Sequence, residues 1–125
     1  MAKGKILIIE DDVTLAKMYS REFQAKDYEV AISYDGVDGL KKVAAEKPSL
    51  ILLELDLPKM DGTVLFQKIR FQDETAQTPV ILLINAGQEK AIFDCFKLGR
   101  VDYIVKSDLP PAEVVSKAGK FLQEE

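Results

Sequence analysis

Apolar positions along the chain follow two patterns. Lys5–Ile9 (KILII), residues 50–53 (LILL) and Val80–Ile84 (VILLI) are short unbroken apolar runs rich in branched side chains, which is how a strand covered on both faces reads. Glu29–Ser33 is a shorter run of this kind and residues 103–105 are a fifth. Between them the spacing changes to threes and fours, the period of an amphipathic helix. Leu15, Met18, Tyr19 and Phe23 mark the first helix, and Val37, Leu40, Val43 and Ala44 the second. Val64, Leu65 and Ile69 mark the third, Glu89–Leu98 forms the fourth, and Val114, Val115, Ala118 and Leu122 carry the last. Asp12 is placed to cap the first helix, Pro48 stops the second, Gly99 closes the fourth, and Pro110 and Pro111 open the fifth.

Five strands alternating with five helices predict an α/β fold, a doubly wound parallel sheet with helices on both faces. Right-handed crossovers favour the flavodoxin-like (βα)5 order 2-1-3-4-5, built as a single domain over residues 1–125. That order brings the C-terminal ends of the central strands together. Glu10, Asp11, Glu54, Asp56, Ile84 and Lys106 then gather at one edge, although they lie far apart in sequence.

Composition narrows the chemistry. The 125 residues carry a net charge of −4, which argues against nucleic-acid binding by this domain. The longest apolar runs are far too short to span a membrane, and no signal-peptide pattern precedes the acids at Glu10, so a cytoplasmic protein is expected. No output segment follows residue 125, so the expectation is a stand-alone regulator or an excised domain. The lone Cys95 has no partner for a disulfide or zinc site and no neighbouring feature that would make it reactive. Histidine is absent, which excludes His-based acid-base catalysis, His metal ligation and phosphohistidine chemistry within the chain.

Several carboxylates in one crevice repel one another unless they are protonated or matched by cations. Mg2+, which takes one or two carboxylates plus carbonyl and water oxygens, suits such a cluster. Lys106 adds a mobile cation suited to a phosphoryl oxygen. The same acids repel the phosphates of a nucleotide, which would need a glycine- or hydroxyl-rich loop after the first strand.

Four motifs in this order, IIEDD after strand one, LILLELDLPKMDG around strand three, TPVILLI in strand four and DYIVK in strand five, make the whole chain resemble a CheY-like response-regulator receiver domain of two-component signalling. The resemblance implies transfer of a phosphoryl group from a partner histidine to a carboxylate at the end of strand three, with Mg2+ held by the acidic pair. It assigns Glu10 and Asp11 to that pair, with Asp11 the direct ligand, the backbone carbonyl of Asp56 to a third metal contact, and Lys106 to the phosphoryl group. The implied partner is a sensor histidine kinase or another signalling protein. The face made by the fourth helix, fifth strand and fifth helix is where the resemblance places partners or a second copy, and Ile92, Phe93 and Phe96 put three large apolar side chains on that fourth helix.

Three departures stand out. The acceptor aspartate of the pattern falls on Glu54, whose extra methylene would carry a phosphoryl group roughly an ångström or more from where Mg2+ and Lys106 await it, a misplacement worth about a hundredfold in rate. Its carboxylate could instead pair with Lys106 directly. Ile84 stands where the resemblance expects a switch Ser or Thr, and a branched Ile84 crowds the space that the switch aromatic, here Tyr103, would fill. Asn85 is polar but alternates to the opposite face unless the strand has ended. Ser107 replaces the proline that follows the lysine, and since a non-proline cis bond costs roughly 2.5 to 4 kcal/mol, a trans bond is expected.

The resulting expectation is a pseudo-receiver, a signalling module with impaired or absent phosphorylation that acts through protein contacts and is not an enzyme. Two other readings stay open: a working Mg2+-dependent acceptor at Asp56 or Glu54, catalysing at most its own phosphorylation, and a scaffold whose acidic crevice is a relic.

Overall fold

The structure, a computed structural model, describes residues 2–123. Five parallel strands, β1 (Lys5–Ile9), β2 (Glu29–Ser33), β3 (Leu50–Glu54), β4 (Val80–Ile84) and β5 (Val101–Val105), form one sheet in the order β2-β1-β3-β4-β5. Four α-helices accompany them: α1 (Val13–Ala25), α2 (Gly36–Glu46), α3 (Gly62–Arg70) and α4 (Pro111–Gln123). The fold class and strand order are those expected. The last expected helix is α4, described as far as Gln123, and whether it reaches residues 124 and 125 lies outside the described residues.

Strand alternation divides the interior into two layers. Leu7, Ile9, Ile51, Leu53, Val80, Leu82 and Ile84 pack with Val43 of α2 and with Leu65, Phe66 and Ile69 of α3. On the other face Ile6, Ile8, Leu50, Leu52, Ile81, Leu83 and Ile104 pack with Ala16, Tyr19 and Phe23 of α1 and with Val114, Val115 and Ala118 of α4. All five residues of β3 and of β4 are buried, and every one except Glu54 adds an apolar side chain to one layer or the other. Burying one such side chain is worth about 1.5–3 kcal/mol, which makes these two strands the anchor of the fold.

The structure revises the sequence expectation in three places. Met18, Val37 and Val64 are exposed, and so is Ala44, because the inward faces of α1, α2 and α3 are narrower than the apolar spacing suggests. β5 starts at Val101, two residues early, since an edge strand is only half-covered and lacks a continuous apolar run. Glu89–Leu98 is a 3₁₀ helix rather than an α-helix. Its inward residues Ile92, Cys95 and Leu98 recur every three, the repeat at which 3₁₀ side chains eclipse.

Candidate functional site

Sheet register sets the site. Ile9 is level with Leu53, Glu54 with Leu83, and Ile84 with Val105, so the residues that follow β1, end β3 and follow β5 reach one rim. Glu10, Glu54 and Lys106 continue the alternation of Ile8, Leu52 and Ile104 and therefore share the α1 and α4 side of the sheet. Ile84 belongs to the opposite layer.

Loop geometry holds these groups in place. The Asp12 side chain accepts from the Leu15 N–H and caps α1, as expected, and the Asp12 N–H donates to Glu10 Oε2 at 3.1 Å. After β3, the Gly62 N–H donates to the Leu55 carbonyl at 2.8 Å, and Asp61 caps α3. A Cβ at Gly62 would run into the Glu54 and Leu55 backbone, so only glycine lets α3 begin this close to the strand that carries Glu54.

At the centre, Lys106 Nζ donates to Glu54 Oε1 at 2.9 Å and to Glu10 Oε1 at 3.0 Å. Glu10 is 0% exposed and Glu54 3%. Burial pushes the Glu54 carboxyl up to about 7, against the pull of Lys106 and with a further push from Glu10. Burial raises Glu10 too, partly offset by the Asp12 N–H and Lys106. Burial alone would lower the Lys106 ammonium, but its bonds to Glu54 and Glu10 outweigh this and hold it above the usual lysine range. Tyr19, buried beneath the same rim, is pushed up to about 12 by burial and then by Glu10.

The acids also offer a cation site. Glu10, Asp11 and Glu54 each present an oxygen within 4.8 Å of the others. Glu54 Oε2 is buried with no hydrogen-bond partner, an orphan acceptor of the kind that needs either a proton or a cation. Three carboxylates, one of them on exposed Asp11, fit a hard divalent ion.

Asp56 stands apart from this cluster. Its Oδ2 accepts from Gln88 Nε2 at 2.8 Å and from Asn85 Nδ2 at 3.4 Å, outside the end of β4. Asn85 is past the last strand residue, the condition under which its side chain can reach the rim. Ile84 is fully buried, and half-buried Tyr103 packs against the same layer and edge-on to Phe96, with ring centres 6.0 Å apart. No peptide bond among the described residues is cis, so Lys106–Ser107 is trans, as expected. Of the apolar trio on the 3₁₀ helix, Ile92 is buried while Phe93 and Phe96 are 71% and 42% exposed. Cys95 is buried, and burial raises its thiol pKa.

Gln88 and Arg70 escaped the sequence reading. Arg70 is almost fully buried, stacks on Phe66, and donates to the carbonyls of Gly99 and Arg100 at 2.9 and 2.7 Å. Its only sequence signal is a basic residue directly after the inward-facing Ile69, whereas Gln88 gives none, because its partner is 32 residues away.

A family model described as "Response regulator receiver domain" matches residues 6–117. The DNA-binding dual master transcriptional regulator RpaA of Synechocystis is 35% identical over 102 residues, which cover 82% of this chain and 42% of that protein. The chain likewise spans less than half the length of other curated transcriptional regulators that it matches. Among solved structures, a putative response regulator from Chloroflexus aurantiacus superposes with a TM-score of 0.85 at 28% identity, covering 96% of this chain and 98% of that one. The Mn(2+)-bound form of response regulator Rcp1 has a TM-score of 0.74 at 26% identity, covering 82% and 81%.

Proposed function

The chain belongs to the response regulator receiver domain family of two-component signalling, and we propose that this member is a pseudo-receiver that signals through protein contacts while its phosphoryl transfer is impaired. The observation that carries this reading is the contact between Glu54 and Lys106 at 2.9 Å. The carboxylate at the acceptor position already holds the cation assigned to the phosphoryl group, and its longer side chain reaches into the space that group would occupy. Ile84, buried in the opposite layer, has no hydroxyl with which to follow an event at Glu54, and Tyr103 packs against the same layer.

Within this reading, Asp11 would hold a divalent ion directly, with Glu10, Glu54 and the Asp56 carbonyl completing the protein's share. The bound ion would offset the crowded negative charge and draw phosphoryl oxygens toward the crevice. The Mn(2+)-bound relative and the orphaned Glu54 Oε2 support this assignment. Lys106 neutralises two of the same carboxylates, so ion and lysine share one pool of charge.

The proposed partners are a sensor histidine kinase or another signalling protein, with Phe93 and Phe96 on the outward side of the 3₁₀ helix as contact residues, and a second copy meeting the same face as the alternative. Incubation with phosphoramidate and Mg2+, followed by intact mass measurement, tests the reading. It expects no gain of a phosphoryl group in the wild-type chain. A stable adduct that is lost in Asp56→Asn and kept in Glu54→Gln would replace it with the working-acceptor reading.

A further inference from the structure

The 3₁₀ helix is ten residues long, whereas runs beyond three or four are uncommon because the hydrogen bonds are poorly aligned. It spans about 20 Å at the 3₁₀ rise, and the same residues would span roughly 15 Å as an α-helix. Something must therefore hold its ends apart, and the structure supplies a clamp at each.

At the C-terminal end, the Arg70 guanidinium grips the Gly99 and Arg100 carbonyls and ties them to α3. Arg70 also donates to the Thr75 carbonyl, so this clamp is buried and bound on several sides. At the N-terminal end, the Gln88 amide does two things at once. Its oxygen accepts from the Asn85 N–H at 2.7 Å, and its nitrogen donates to the Asp56 carboxylate at 2.8 Å. This fixes the residue from which the helix starts, since the Gln88 carbonyl accepts the Ala91 N–H. This second clamp lies at the solvent edge and rests chiefly on the Gln88 amide, with Asn85 Nδ2 adding a longer bond to the same carboxylate oxygen at 3.4 Å.

We propose that Gln88 is a positioning residue, and that its tether to Asp56 keeps the segment Glu89–Leu98 in its 3₁₀ form and so sets how Phe96 is displayed. The geometry of the two helices gives the consequence. At 3₁₀ pitch Phe93 and Phe96 stack above one another on the outer side, while Ile92, Cys95 and Leu98 stack inward. At α pitch, with about 100° per residue, Phe96 turns to within about 40° of Ile92 instead of about 120°. Releasing the tether lets the segment shorten, moves Phe96 toward the core and leaves Phe93 alone outside. Asp56 lies two residues beyond Glu54 and outside the carboxylate cluster, so the tether fastens the start of the segment to the loop after β3. The tether does not depend on whether the crevice accepts a phosphoryl group.

Solution NMR on the full chain tests this. In the wild type, α-proton to amide contacts between residues two apart should run through Glu89–Leu98, without contacts between residues four apart. In Gln88→Leu and Asp56→Leu the four-apart contacts should appear, together with new contacts from the Phe96 ring to Ile92. Asp56→Asn keeps an acceptor oxygen for Gln88 and should retain the wild-type pattern. Unchanged signals from β3 and β4 control for folding, and Gln88→Leu alone suffices if Asp56→Leu does not fold. Four-apart contacts already present in the wild type would overturn the proposal, as would a 3₁₀ pattern that survives in Gln88→Leu, or a segment that loses both patterns there.

Discussion

Lys106 and Glu54, 52 residues apart in sequence, meet at 2.9 Å in a rim where both Glu54 and the neighbouring Glu10 are buried. One ammonium serves two buried carboxylates. Its removal leaves both without their cation, and breaking a buried pair from one side costs about 3–5 kcal/mol. Lys106→Met should therefore lower the urea midpoint strongly. Adding Glu54→Gln to that variant should recover part of the loss, because a neutral amide no longer needs the cation. A double variant as unstable as the single one would mean that the Glu54 charge is not held by Lys106.

The proton balance at Glu54 gives a second expectation. Its folded-state pKa of about 7 lies above the ordinary carboxylate value of 4.5, so between these pH values the folded protein binds more protons than the unfolded chain. Stability contributed by this group is present below about pH 4.5 and is lost as pH rises through about 7. Glu10 is shifted in the same direction. Glu54→Gln, always neutral, should gain stability relative to the wild type as pH rises over that window in chemical denaturation without divalent ions. Parallel curves for the two proteins would show that Glu54 does not titrate there.

Divalent ions should act through the same carboxylates. A ligand that binds only the folded state at a hundred times its Kd stabilises it by about 2.7 kcal/mol. Saturating Mg2+ should thus raise the melting temperature of the wild type, and Asp11→Asn should lose most of that rise. An equal rise in both proteins would place the ion elsewhere, and no rise in either would leave the crevice without a metal role.

Gly62 fixes the distance between α3 and the strand that carries Glu54. Gly62→Ala forces a methyl group against the Glu54 and Leu55 backbone, and overpacking of this kind costs about 1–3 kcal/mol. The loss should be read by urea denaturation and be accompanied by shifted backbone resonances at Glu54 and Leu55. A substitution without effect on either would mean that the loop has slack.

What the sequence made legible follows from where burial is two-sided. β1, β3 and β4 are unbroken apolar runs because helices cover both faces, and the ends of β1, β3 and β5 place Glu10, Glu54 and Lys106 at one rim. β5, half-covered at the sheet edge, showed only its last three residues. The segment Glu89–Leu98 reads as an α-helix because Ile92, Cys95 and Phe96 suit that spacing, but Ile92, Cys95 and Leu98 suit a 3₁₀ helix equally, and the choice is set by contacts at its two ends that no local pattern records. Met18, Val37 and Val64 fit the helical spacing yet lie outside, since periodicity gives a direction and not the width of the covered face. The Asp56–Gln88 tether was invisible for the same reason as Arg70: each joins loops or helix ends distant in sequence.

The central claim is that one methylene at position 54 removes the acceptor's chemistry, and Glu54→Asp reverses that change alone. Both proteins are incubated with acetyl phosphate and Mg2+, and intact mass is followed over time. A phosphoryl adduct is expected in Glu54→Asp and none in the wild type over the same period. A wild-type chain that acquires the adduct as fast as Glu54→Asp would contradict the claim.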